Sequence, residues 1–309
     1  MGLHPLQRLV RETLAQRSYP GGGIADRPNG QFRTDATAWG ILALQRAGED
    51  QLVLEKHRAR LVAEQDHDGR VSVYPRHGEP FWPTALAILA WQSSLSSHDA
   101  LRRAVQFLLK TTGVQFPRTS DSPFGHDTFL KGWPWVAGTH SWIEPTAFAV
   151  MALRGAGYAE HDRVREAVRM LLDRQLPHGG WNYGNTLVFG RELRPMPDST
   201  GAAVAGLAGM VNREKIARSL DYLQGEVGRL RTPVSLGWGL LGLAAWDLWP
   251  SNSPALVERC LANQTRYGDY ETSALCLLLL GALADDVDTK ATLFLHSSRT
   301  HASAVLPRE

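Results

Sequence analysis

The chain has 309 residues, 43% of them hydrophobic and 21% charged, a composition that excludes disordered, collagen-like and disulfide-scaffold proteins. Lys and Arg total 33 against 31 Asp and Glu, so the formal net charge is +2; the signs are interspersed, which does not favour nucleic-acid binding. The only two cysteines, Cys260 and Cys276, lie inside apolar helical patterns and outside any metal-ligand spacing. This usage fits a reducing, cytoplasmic setting with neither cofactor nor metal.

In chain order, Met1 to Leu6 lacks the apolar core of a signal peptide, and Leu6 stands where a myristoylation motif needs Ser or Thr. The pattern then predicts a first outer helix over Leu6 to Gln16. A threonine next opens an apolar helix repeatedly: Asp35-Ala36-Thr37-Ala38, Trp82-Pro83-Thr84-Ala85, Glu144-Pro145-Thr146-Ala147, Asp198-Ser199-Thr200-Gly201 and Glu271-Thr272-Ser273-Ala274. A weaker sixth copy starts at Leu236-Gly237-Trp238-Gly239. Each copy is small and apolar nearly all round, the signature of a helix buried on most faces. Between them lie amphipathic segments, Leu52 to Glu64, Ala100 to Lys110, Arg163 to Arg174, Arg213 to Leu223 and Ala255 to Asn263, with charges at helical spacing. Thr289 to Ser297 is expected as a closing helix. Inner and outer helices alternating in six pairs predict an all-α (α/α)6 toroid, one domain over residues 1–309. The longest apolar run, Ala274 to Ala284, is well short of the roughly 20 residues a membrane span needs.

The inner helices are expected to start on N-caps. Asp35 and Asp198 suit that role, Glu144 less so, and Trp82 not at all. The longest insertion, Gly113 to Ile143, carries Phe124-Gly125-His126-Asp127, Gly132-Trp133-Pro134-Trp135 and His140-Ser141-Trp142. So long a segment with so much tryptophan predicts a lid or pocket wall, with a plug of one barrel end as the plainer alternative. His126 with Asp127, and His140 near Glu144, are candidate acid–base pairs. Asp66-His67-Asp68-Gly69 lacks the remaining ligands of a calcium loop and reads as a turn.

Leu171-Leu172-Asp173-Arg174-Gln175-Leu176-Pro177-His178-Gly179-Gly180-Trp181 resembles the glutamine-tryptophan repeat of the squalene and oxidosqualene cyclases, with looser echoes at Gln16 to Gly23, Gln65 to Gly69 and Gln264 to Gly268. The resemblance implies the α/α toroid shared by terpenoid cyclases and the β subunits of protein prenyltransferases, and a packing role for Trp181. Class II cyclases carry Asp-x-Asp-Asp-Thr-Ala, whose central aspartate protonates the substrate. The matching stretch is Arg33-Thr34-Asp35-Ala36-Thr37-Ala38, which keeps only Asp35. Protein prenyltransferases place a zinc-binding histidine where Glu271 stands, and no cysteine occupies a matching ligand position, so zinc-dependent prenylation is not implied.

If the toroid closes, the leading ends of the inner helices share one mouth. Asp35, Glu144 and Asp198 are then candidate catalytic acids, and Trp82, Trp133, Trp135, His140, Trp142 and Glu271 candidate substrate contacts. The leading expectation is a terpenoid-cyclase-like isomerase or prenyltransferase-like transferase. Its central aromatic-lined cavity would take an isoprenoid or similar apolar small molecule, and Asp35 would start an acid-initiated cyclisation. One alternative is a non-catalytic toroid that binds a lipid or a partner protein, in peripheral contact with a membrane or free of it. Another is a glycan-active α/α-barrel enzyme using paired carboxylates at the mouth. Pocket shape separates them: a deep apolar cavity for isoprenoids, an open polar cleft for glycans, a self-filled lumen for a scaffold.

Overall fold

The segments that are small and apolar all round form the inner helices of the structure, a computed structural model describing residues 5–75, 78–117 and 122–284. The helices are α1 (Pro5–Arg17), α2 (Thr34–Arg46), α3 (Gln51–Ala63), α4 (Pro83–Trp91), α5 (His98–Lys110), α6 (Ile143–Gly155), α7 (Asp162–Asp173), α8 (Pro197–Leu207), α9 (Ala217–Val227), α10 (Pro233–Ala244), α11 (Ser253–Ala262), α12 (Gln264–Tyr267) and α13 (Thr272–Ala282). In α2, α4, α6, α8, α10 and α13 most side chains are buried. In α5, α7 and α9 one stripe is buried and the other faces are wet.

Packing runs from α2 to α4, α6, α8, α10 and α13, and from α13 back to α2. The ring closes. Outside it, α1, α3, α5, α7, α9 and α11 return the chain between consecutive inner helices; α9 touches both α8 and α10, and α1 touches both α13 and α2. The architecture is an (α/α)6 toroid. Returning outer helices make the inner ones parallel, so six N-terminal ends share one mouth.

The repeated threonine has a specific use. Thr37, Thr84 and Thr146 each accept, through Oγ1, the backbone N–H of the residue 13 positions earlier, Ile24, Val71 and Trp133, at 2.9 Å. Thr200 accepts that of Trp181 at 3.0 Å across 19 residues. Each bond pins the turn leaving an outer helix against the start of the next inner one, satisfying buried donors in segments too irregular to pair with themselves. Glycines let α8, α10 and α13 approach closely: a Cβ on Gly201 would lie 2.3 Å from the Trp238 carbonyl oxygen, and one on Gly237 2.8 Å from that of Leu277.

The two ends of the ring meet at Arg17, which is buried and donates to the carbonyl of Tyr270 at 2.9 Å and to Thr272 Oγ1 at 3.0 Å. Thr272 in turn donates to the Ala25 carbonyl at 2.7 Å. A small antiparallel hairpin, β1 (Leu187–Val188) with β2 (Arg191–Glu192), projects from the segment before α8.

Two expectations change, and a third is not tested. Asp35 and Asp198 are not N-caps: α2 is preceded by Arg33 and α8 by Met196, so both acids sit second in their helices, within the first turn. The outer segment at Arg213 begins as a 3-10 turn, Arg213–Ile216, before α9. Thr289 to Ser297 lies outside the described residues. Among the described residues no helix is long and apolar enough to cross a membrane.

Candidate functional site

At one level the lumen of the ring is filled by its own side chains. Trp39, Phe148 and Trp238 are each the sixth residue of α2, α6 and α10, three alternating members of the ring. All three are buried, and their rings meet at centroid distances of 6.3 Å (Trp39–Phe148), 5.9 Å (Trp39–Trp238) and 5.5 Å (Phe148–Trp238, stacked). Helices in parallel, level register are what bring equal positions together. Toward the mouth, half-buried Trp82 and Trp135 lie edge to face at 5.2 Å and both touch Phe148. The cavity expected for an apolar substrate is occupied at this level by protein, because three large rings at one height consume the space six helices enclose.

Trp133 does not belong to this column. It is 2% exposed, its Nε1–H caps the Leu108 carbonyl of α5 at 3.0 Å, and the Arg163 guanidinium lies 4.1 Å from its ring centre. Trp181 does the same one repeat later, donating to the Leu171 carbonyl of α7 at 2.7 Å. Both indoles bond carbonyls in the last turn of an outer helix, Trp133 sharing the Leu108 carbonyl with the Thr111 N–H, and Trp133 has almost no surface left to offer a ligand.

The mouth divides into two charged arcs on opposite sides. Over α2 and α13, Arg33 engages both oxygens of Asp35, at 2.9 and 2.8 Å, and lies 3.8 Å from Asp26. Asp35 is 2% exposed. Burial, then the nearby charge of Glu271, raises the Asp26 carboxyl above the ordinary aspartate range, with Arg33 acting against them. Glu271, half-exposed at the N-cap position of α13, forms an ion pair with Arg27. Every acid on this arc faces a guanidinium.

Over α6 and α8 the balance is different. Glu144, second in α6, is 8% exposed; its Oε1 accepts a hydrogen bond from Ser199 Oγ of α8, and its buried Oε2 has no hydrogen-bond partner. Burial pushes this carboxyl up to about 7, Ser199 and a backbone N–H pull it down, and the charge of Asp198 raises it again. Asp198 is half-buried, with Oδ1 accepting the Ser199 backbone N–H at 3.0 Å. Burial, then the charges of Asp198 and Glu144, also raise the Tyr183 phenol above its usual pKa. The Tyr183 carbonyl accepts the N–H of Ile143, which starts α6, at 2.9 Å.

Trp142, at the N-cap position of α6, lies against His140 with ring centres 4.3 Å apart and planes tilted by 34°. Burial, with Arg174 as the lesser cause, holds the His140 imidazole below its usual pKa. Its Nε2 is buried without a partner. Arg174 donates to the carbonyl of Ser141, the residue between His140 and Trp142. The structure thus gathers Glu144, Asp198, His140 and Trp142 on one arc, and leaves Asp35 and Glu271 on the other with Trp82 and Trp135 between. Ser199, Tyr183 and the Trp39–Phe148–Trp238 layer were not singled out from the sequence. The triplet Asp198-Ser199-Thr200 was the available signal for Ser199; contact between rings on non-adjacent helices has none. Among the described residues no cluster of His, Cys, Asp and Glu is arranged to hold a metal ion.

No family model and no curated protein matches the chain. Solved structures do. A protein from Actinoplanes is 16% identical with a TM-score of 0.57, covering 90% of this chain and 98% of that one. An inactive variant of the α-1,6-mannanase GH76A of Salegentibacter sp. HEL1_6, in complex with α-1,6-mannotriose, is 12% identical with a TM-score of 0.60, covering 91% and 98%. A variant of the type II terpene cyclase MstE from Scytonema is 14% identical with a TM-score of 0.50, covering 84% and 75%. What they share with this chain is the α/α toroid. Identities this low carry fold and not activity.

Proposed function

We propose that the protein is a glycan-active enzyme whose site is the α6/α8 arc of the mouth, with Glu144 as general acid and Asp198 as the second carboxylate. The observation that carries this reading is the Glu144 carboxyl: buried in the first turn of α6, anchored through one oxygen to Ser199, with the other oxygen unpartnered. An acid whose pKa is near 7 keeps its proton at neutral pH and still gives it up readily. In hydrolysis, the Glu144 proton passes to the glycosidic oxygen as the bond to the anomeric carbon breaks. Water adds to that carbon and yields its proton to a carboxylate. The Asp198 charge stabilises the positive charge that develops on the sugar, and Trp142 and Tyr183 supply aromatic faces beside it. The self-filled lumen fits a rim-bound substrate better than one enclosed in the ring, and solved α-1,6-mannanases have the same fold.

The test is reducing-end release from α-1,6-manno- and β-1,4-gluco-oligosaccharides by the wild type and Glu144→Gln. Release by the wild type that falls at least about a hundredfold in Glu144→Gln supports the reading. No release from any glycan, or equal release by both proteins, refutes it. A second reading draws on the aromatic column from Trp82 and Trp135 down to Trp238, whose faces suit a carbocation. There the same Glu144 would start cyclisation of an isoprenoid, and cyclic products from squalene or a prenyl diphosphate, with none from glycans, would select it.

A further inference from the structure

The β1–β2 hairpin carries a residue that folding alone does not explain. Register pairs Leu187 with Glu192 and Val188 with Arg191, leaving Phe189-Gly190 as a two-residue turn. Both have positive φ, 50° for Phe189 and 75° for Gly190, the backbone of a type I′ turn. That turn favours Asn-Gly, because a bulky residue in the left-handed region is strained. Phe189 is also 83% exposed. A strained backbone presenting a large apolar ring to water costs stability twice over and points to a use outside the fold.

The tip is held firmly. The Phe189 N–H donates to the Pro123 carbonyl at 3.2 Å, the Gly125 N–H to the Leu187 carbonyl at 3.3 Å, and Phe124 bridges Val188. These bonds join the hairpin to the insertion before α6, which exposes Phe129 (59%) and Phe116 (53%), the latter bonded to Thr128. The segment that carries the hairpin is tied at its base to the starts of α6 and α8, the helices of Glu144 and Asp198: the Ile143 N–H donates to the Tyr183 carbonyl at 2.9 Å and the Met196 N–H to the Trp181 carbonyl at 2.8 Å. Three residues of strand carry its tip about 10 Å beyond Thr186. Its flanks, Arg191, Glu192 and Arg194, are exposed and of mixed sign. Apolar rings framed by donors and acceptors of both signs suit a sugar, which has a hydrophobic C–H face and a hydroxyl edge. An anionic bilayer would call for basic residues alone.

We propose that the Phe189 tip is a distal stacking subsite for a glycan chain whose reacting bond lies at Glu144, so that the substrate is an extended chain rather than a disaccharide. This rests on the glycan reading of the mouth. The experiment measures binding by calorimetry in the Glu144→Gln background, with α-1,6-mannan and β-1,4-glucan ladders, with and without Phe189→Asn. Asparagine suits the turn, so the thermal midpoint should stay level or rise. Affinity for chains of about six units should fall roughly tenfold while that for two or three units is unchanged. Unchanged affinity for the long chains overturns the subsite and leaves the mouth reading intact. Absence of binding to any glycan, short or long, overturns both. If Phe189→Asn abolishes co-sedimentation with phosphatidylserine vesicles and leaves glycan affinity alone, the tip serves a bilayer and the proposal falls.

Discussion

Glu144 ties activity to stability through one proton, and Glu144→Gln separates the two. An ordinary glutamate has a pKa of 4.5, and burial carries Glu144 to about 7 in the folded protein. Below pH 4.5 the carboxyl is neutral in both states and its folded environment costs nothing. Between 4.5 and 7 the unfolded chain ionises first, so the stability present at low pH is lost as pH rises through the folded value. One pKa unit corresponds to about 1.4 kcal/mol, which puts the whole loss at about 3 kcal/mol by pH 8. Glutamine does not titrate and still accepts from Ser199, so its unfolding free energy stays flat through this window as far as this site is concerned. Denaturant titrations of both proteins at pH 4, 6 and 8 should show the difference, glutamine minus wild type, growing by about 3 kcal/mol. A difference that changes by less than about 1 kcal/mol over that range refutes the argument that burial governs this carboxyl. Turnover should fall above pH 7 as the donor loses its proton.

Asp35→Asn should keep turnover within a few-fold and cost about 2 kcal/mol, because it breaks a part-buried ion pair and leaves Arg33 with only the more distant Asp26. Lost turnover in a folded Asp35→Asn protein would move the donor role to that residue. Trp133→Ala should cost about 3–5 kcal/mol in unfolding free energy, by opening a cavity and removing the indole bond to the Leu108 carbonyl, with glycan affinity of the folded fraction unchanged. A change in affinity larger than the change in folded fraction would place Trp133 in the site.

The toroid was legible because its inner helices are surrounded by other helices on every side and so must be small and apolar all round. That pattern survives in Thr37 to Leu44, Thr84 to Trp91 and Thr146 to Leu153 without any knowledge of neighbours. The repeated threonine was visible, but its bond was not: the constant spacing of Ile24, Val71 and Trp133 from Thr37, Thr84 and Thr146 was written in the chain, and read so it would have marked Trp133 as a structural position equivalent to Ile24 and Val71. The segment Lys131-Gly132-Trp133 lacks the glutamine and second glycine that gave Trp181 away. Among the acids, residue type alone does not distinguish Asp35 from Glu144. Their difference lies in what faces them across the rim, a guanidinium in one case and a serine hydroxyl with a second carboxylate in the other. The filled lumen was hidden for the same reason, since Trp39, Phe148 and Trp238 meet only once three helices stand at one height.

The clasp of Arg17 on Tyr270 and Thr272 joins groups more than 250 residues apart. During synthesis, α1 and α2 leave the ribosome long before α13 exists, and until then the flank of α2 that α13 will cover stays wet. A ribosome paused, or a message truncated, ahead of Thr272 therefore yields an open horseshoe with an apolar edge at each end, prone to join a second copy of itself. For this chain, the last inner helix to be made decides whether the first becomes a wall or a sticky end.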